Sequence, residues 1–193
     1  TGSSCVPLPV NKKVLVEFFT NAGCIPCIDA HHFFDNVAAE TFDTNMVLIT
    51  WHTKYPYIFD SLYRANIPHN QSRSDYYGIN SSPQARLDGI SMGQFSTDLW
   101  SCQINNELNA TKYLNISLSN NFNPNNDTGE VTANISLLSS LPTTDNVIHV
   151  IITENDIPYV TAPNGITLPT NVMRFMVTGS VGEDITIGQK IGR

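Results

Sequence analysis

The pattern that most constrains this chain is Cys24-Ile25-Pro26-Cys27, set between two different hydrophobic periods. Before it runs Lys13-Val14-Leu15-Val16-Glu17-Phe18-Phe19, nearly continuous in apolar character, which predicts a mid-sheet strand covered on both faces. After it, Ala30, Phe33, Phe34 and Val37 recur at helical spacing opposite Asp29, His32 and Asn36, the pattern of a helix turning one stripe to a core. Pro26 suits the first turn of that helix, where a missing N–H leaves no bond unmade. The cysteine pair therefore stands at a strand-to-helix junction. Unpaired N–H groups and the helix dipole favour a thiolate at Cys24, which raises the fraction able to attack a disulfide. Cys27, one turn along and facing the interior, can close onto it, and the reversible pair is a redox unit. A static structural disulfide is the alternative.

A second apolar run, Met46-Val47-Leu48-Ile49, completes a strand–helix–strand order, which implies a parallel pair with a right-handed crossover. Residues 51–76 form an aromatic insertion with Tyr55, Tyr57, Phe59, Tyr63 and Tyr76, expected to carry one short helix. The stretch 77–89 predicts a short strand entered through Pro83 and closed by an Asp88-Gly89 turn. Residues 94–108 read as a helix with Phe95, Leu99, Cys102 and Leu108 on one side. The α/β domain is expected to span 1–110. Beyond it the period becomes two, as in Leu114, Ile116 and Leu118 or Val131, Ala133, Ile135 and Leu137, and Ile185 with Ile187. With turn clusters such as Asn123-Pro124-Asn125-Asn126, residues 111–193 predict a small antiparallel β-sandwich, truncated at five evident strands.

Charge narrows the partners. Ten basic against 17 acidic residues give a formal net charge of -7, without the basic footprint that nucleic acid or anionic lipid requires. No apolar run reaches membrane-spanning length, and the polar start Thr1-Gly2-Ser3-Ser4 reads as a mature or trimmed terminus. If Cys24 and Cys27 pair, the natural partner of Cys5 is Cys102, a long-range bridge that belongs to an oxidising compartment; two unrelated thiols are the other reading. His31 and His32 follow Cys27 closely enough for a soft-metal site from Cys24, Cys27 and a histidine, with His52 a further ligand; a plain polar face explains the same residues.

The run Val14-Leu15-Val16-Glu17-Phe18-Phe19 before Cys24-Ile25-Pro26-Cys27, with Tyr77-Gly78-Ile79 leading to Ser82-Pro83, resembles the two signatures of the thioredoxin superfamily over residues 10–108. The resemblance implies that Pro83 is a cis-proline against the redox pair and that Ser82 offers backbone groups to a substrate peptide. It also implies that Glu17 accepts the proton of the buried thiol. Over nearly its full length the chain is similar to the outer membrane protein 28 related family of Bacteroidetes exported proteins, through Glu17-Phe18-Phe19-Thr20, Asp75-Tyr76-Tyr77-Gly78, Ile152-Thr153-Glu154-Asn155-Asp156-Ile157-Pro158-Tyr159 and Asn171-Val172-Met173-Arg174-Phe175-Met176. That family joins a thioredoxin-like domain to an immunoglobulin-like β domain, and the resemblance implies a periplasmic, cell-envelope or outer-membrane location. Gly23 departs from the aromatic that usually precedes the first cysteine. The expected function is an exported thiol–disulfide oxidoreductase-like protein acting on protein or peptide thiols and disulfides, with no diffusible cofactor and no metal at its site. The alternatives are a non-enzymatic cell-envelope binding module with a structural disulfide, or a copper- or zinc-binding protein of the same fold.

Overall fold

In the computed structural model, which describes residues 8–126 and 128–185, the expected strand–helix–strand unit is present. Strands β1 (Val14–Thr20) and β2 (Met46–His52) pair in parallel from Val14–Met46 to Thr20–His52. The helical crossover between them runs through α1 (Cys27–His32), a π-helical stretch (Phe33–Ala38) and α2 (Ala39–Phe42). The π turn corrects the expected stripe. Its i→i+5 bonding adds a residue to the turn, so Ala38 is buried where Val37 was expected, and Val37 faces outward.

On the other side of β1, β3 (Gln84–Leu87) pairs antiparallel with it, and β4 (Ile90–Ser91) folds back on β3. The turn between them is the predicted Asp88-Gly89, with φ of 44° and 87°, the left-handed pair that a tight hairpin turn requires. Helix α5 (Thr97–Leu108) starts at Ser96, whose side chain accepts from the Leu99 N–H. Its buried residues are Trp100, Ile104 and Leu108; Leu99 is exposed, contrary to the expected face. Trp100 sets this rotation, because its indole fills the space among Phe18, Phe33, Phe34 and Phe95 at centroid distances of 6.4, 6.2, 5.6 and 4.9 Å. The aromatic insertion holds two helices where one was expected, α3 (Ser61–Ala65) and α4 (Ile67–Tyr76), hinged on Asn66, which closes the first and caps the second.

Beyond residue 110 the period-two segments pair as an antiparallel hairpin, β5 (Leu114–Asn123) with β6 (Thr128–Leu137). Short strands β7 (Val147–Ile148) and β10 (Glu183–Asp184) form a second small sheet. The arrangement is consistent with a thioredoxin-like domain followed by a β region, with a correction at the expected boundary. Strand β9 (Val172–Met176) pairs in parallel with β2, and β8 (Ile151–Glu154) pairs antiparallel with β9, giving one six-stranded sheet in the order β4-β3-β1-β2-β9-β8. Two strands expected in a separate sandwich thus belong to the first sheet. The reason is β2 itself, whose far edge would otherwise leave unpaired backbone groups beside an apolar face.

Period two on β1 divides the interior. Val14, Val16 and Phe18 face a core of Cys24, Cys27, Ala30, Phe33, Phe34, Trp100 and Ile104. Phe19 faces a second core with Ile49, Trp51, Met173 and Met176. Because Met173 is 1% exposed in that second core, Met173→Ala is expected to cost about 2–5 kcal/mol of folding stability. Urea unfolding measures it, and a loss within about 0.5 kcal/mol would place β9 outside the core.

Candidate redox site

Cys24 and Cys27 form a disulfide with a Cα–Cα distance of 5.3 Å. Cys24 is 2% exposed and Cys27 not at all, while Ile25 between them is 60% exposed. The turn is held by Cys24 N–H donating to the Asn21 carbonyl at 2.9 Å and Cys27 N–H to the Cys24 carbonyl at 3.2 Å. Pro26 sits at the N-cap of α1, one position ahead of the first turn. The Ser82–Pro83 peptide is cis, as is Tyr55–Pro56. Pro83 directly precedes β3, whose Gln84 pairs with Phe19, so Ser82 and Pro83 lie at the same sheet end as the cysteine loop. The Ser82 hydroxyl is buried and makes no hydrogen bond. Cys102 lies on α5; Cys5, its expected partner, lies outside the described residues.

Gly23 has a steric reason to replace an aromatic. A Cβ there would fall 2.4 Å from the Tyr57 Cβ, so the insertion packs directly on the cysteine loop. Asn21 fastens the two. Its Oδ1 accepts from Gly23 N–H at 2.8 Å and Tyr57 N–H at 3.0 Å, and its Nδ2 donates to the Thr53 and Tyr57 carbonyls at 2.7 and 3.2 Å. Asp60 accepts from Ala22 N–H at 2.8 Å, Leu62 N–H at 3.0 Å and His52 Nδ1 at 2.7 Å. Asn164, from the C-terminal segment, donates from its backbone to the Ala22 carbonyl at 2.8 Å. Asn21 and Asp60 are fully buried and Asn164 nearly so. Sequence reasoning missed all three of these, since single polar residues spread over the chain carry no spacing signal. Burial raises the Asp60 carboxyl, but the neighbouring His52, its hydrogen bond and the two backbone donors outweigh this and hold it below its ordinary value.

The structure corrects the role expected of Glu17. By the alternation of β1 it lies on the face of Phe19, opposite Phe18 and the cysteines. There its carboxylate, 1% exposed, accepts from Arg73 Nε and Nη2 at 2.7 and 2.8 Å and from the Tyr77 hydroxyl at 2.6 Å. This clamp ties α4 to β1 and engages both carboxylate oxygens. Tyr77 is raised by burial first and then by the Glu17 charge and hydrogen bond. Removing the carboxylate strands Arg73, so Glu17→Ala is expected to cost about 3 kcal/mol in urea unfolding. The exchange rate of the cysteine pair should stay within twofold of the wild type, measured with glutathione disulfide under native conditions. A selective collapse of exchange in a stable variant would return the proton role to Glu17.

His31, one turn after Cys27 on α1, is 5% exposed. Its ring packs edge-on to Phe18 with centroids 5.0 Å apart, and its Nε2 lies 3.0 Å from the Thr20 hydroxyl. Burial first, and then the charges of His52 and His32, lower its pKa to about 3. Among the described residues no group of three or more His, Cys, Asp or Glu side chains is placed to hold a metal ion. A histidine lowered in the fold takes up its proton more readily in the unfolded chain. Its contribution to stability is therefore whole above pH 6.5 and lost as pH falls from there toward about 3. The wild type should lose up to about 1.4 kcal/mol per pH unit more than His31→Gln in that window, by denaturant titration at stepped pH. Parallel curves would contradict the burial of a neutral His31.

No protein-family model matches the chain, and no curated protein matches it. Among solved structures, the chain superposes on HBP35 of Porphyromonas gingivalis with a TM-score of 0.71 at 15% identity, covering 93% of this chain and 61% of that one. The chain thus spans under two thirds of that protein's length. A structural-genomics protein from Agrobacterium tumefaciens matches with a TM-score of 0.53 at 19% identity, covering 87% of this chain and 73% of that one. These likenesses concern the fold. Together with the Cys24–Cys27 bridge they fit a thioredoxin-like module carrying a Cys-x-x-Cys pair. Among the described residues, no helix is long and apolar enough to cross a membrane.

Proposed function

We propose that this chain is an exported thiol–disulfide oxidoreductase-like protein of the cell envelope, in which Cys24 exchanges with substrate disulfides or thiols and Cys27 resolves the mixed disulfide. The observation that carries the reading is the Cys24–Cys27 bridge itself, formed at the start of a helix and at the sheet end that also bears the cis Ser82–Pro83 peptide. Thiol chemistry gains there from the helix-start N–H groups, which favour the thiolate. A cleft of about 240 Å³ is lined by residues that include Thr53, Lys54, Tyr55, Gln71, Asn80 and Ser81, the last of which precedes Ser82 in the chain. Its mixed polar and aromatic walls suit an extended peptide, which Ser82 and Pro83 would position. The envelope location is supported by the resemblance to the outer membrane protein 28 related family and by a structural neighbour from the Bacteroidetes.

The burial of Cys24 favours a second reading, a binding module with an inert disulfide. In that reading the β5–β6 hairpin is the interaction part. It turns Ile116, Leu118, Phe122 and Val131 outward, each more than half exposed. The two readings part on one variant. With the oxidoreductase, Cys27→Ser accumulates covalent complexes between Cys24 and envelope proteins, seen on non-reducing gels and lost on adding dithiothreitol. With the binding module no such complexes form.

A further inference from the structure

The cleft that ends at Ser81 holds a positive charge that no acid of the described chain answers. Two parts of its lining lead to the redox pair. Thr53 donates its N–H to the Thr20 carbonyl at 2.8 Å, and its own carbonyl accepts from Nδ2 of Asn21, three residues before Cys24, at 2.7 Å. Asn80 and Ser81 run directly into the cis Ser82–Pro83 peptide. Among the lining residues Lys54 alone is charged, and it forms no ion pair among the described residues. Its Nζ lies over the ring of Tyr55, 5.4 Å from the centroid, and Tyr55 also lines the cleft. The same charge acts on the hydroxyl of Tyr63, which donates to Oε1 of Gln71, another lining residue, at 2.8 Å. Asp75, the acid that also acts on Tyr63, accepts from Gln71 Nε2 at 2.7 Å. An aromatic face attracts an ammonium without taking its hydrogen bonds, so the Lys54 donors stay open to an acceptor.

We infer that this cleft selects polypeptide substrates that carry a carboxylate side chain, Asp or Glu, close to the cysteine to be exchanged, with Lys54 as the specificity-determining residue. This rests on the oxidoreductase reading and deepens it by naming the substrate class. The lining is continuous in sequence with Ser82 and Pro83, so a peptide positioned by those two meets Lys54 as the charge of the adjoining cleft. There Lys54 would pair with the carboxylate, and the Asn80 amide offers a donor and an acceptor to the peptide backbone. The direction of the preference is diagnostic. With a formal net charge of -7, the overall field of the chain favours basic peptides over acidic ones. A preference for an acid must therefore come from a local cation. The exchange itself is the same for every peptide. The Cys24 thiolate attacks one sulfur of the substrate disulfide, and the Cys27 sulfur then displaces the substrate from Cys24. The protein dithiol is oxidised by two electrons, the substrate disulfide is reduced to two thiols, and the two protons pass between them through solvent.

Peptides closed by one internal disulfide test this, identical except for Glu, Gln or Lys placed in turn at each position flanking a cysteine. The reduced protein is mixed with each peptide, and its reduction is followed by acid quench and chromatography. Each rate constant is divided by that of the same peptide with dithiothreitol, which removes the peptide's own reactivity. At low salt the expected order is Glu, then Gln, then Lys, with Glu about threefold or more above Lys, the worth of one partly exposed ion pair. Salt at about 0.5 M should close the gap, and Lys54→Glu should reverse the order. Should Lys54→Glu not fold, Lys54→Gln serves, with loss of the Glu-over-Gln preference expected. Equal rates for the three peptides, a Lys preference in the wild type, or an order that the Lys54 variants leave unchanged would overturn the inference while the oxidoreductase reading stands. Failure of the wild type to reduce any of the peptides would overturn both.

Discussion

Where β1 ends, the backbone that leads to Cys24 leaves the sheet, and its polar groups need partners in a place closed to water. Asn21, Asp60 and Asn164 supply them, each buried and each from a different part of the chain. A buried polar group without a partner costs more than most single contacts return, so the position of the cysteine loop depends on all three. The aromatic insertion and the C-terminal segment are thereby built into the site as its supports. Gly23 completes this arrangement, leaving Tyr57 the space to lie against the loop.

The alternation of β1 gives the two faces of the sheet different work. On one face Phe18 packs with the disulfide, His31 and Trp100. On the other, Glu17 pairs with Arg73 and Tyr77 and fastens α4. A carboxylate within a strand this apolar looks catalytic in sequence, and in the structure it is bonded to Arg73, 56 residues away. Buried charge is tolerated there because Arg73 and Tyr77 both donate to it.

Sequence reading was strongest where a period is unbroken. The β1 run, the β1–β2 parallel pair, the Asp88-Gly89 turn and the β5–β6 alternation are each visible from residue spacing and match the structure. It failed where tertiary packing chose among equal patterns. The face of α5 was set by Trp100, the crossover stripe by a π turn, and the membership of β8 and β9 by an open edge of β2, none of which leaves a local mark. The cysteines and the proline at 83 were legible because their spacing and context are distinctive. Asp60 and His52 were not, because their pairing arises from the fold of the insertion.

Thiol–disulfide chemistry at this site requires that the bridge the loop supports be exchangeable. The redox equilibrium of Cys24–Cys27 against glutathione, with Cys24 thiolate ionisation read on the same sample, tests this most directly. An exchanging pair is expected to show a potential between roughly -120 and -270 mV and a thiolate present well below the ordinary cysteine pKa. A pair that stays oxidised below about -300 mV, with no reactive thiolate once reduced, would make the bridge a structural staple and contradict that chemistry.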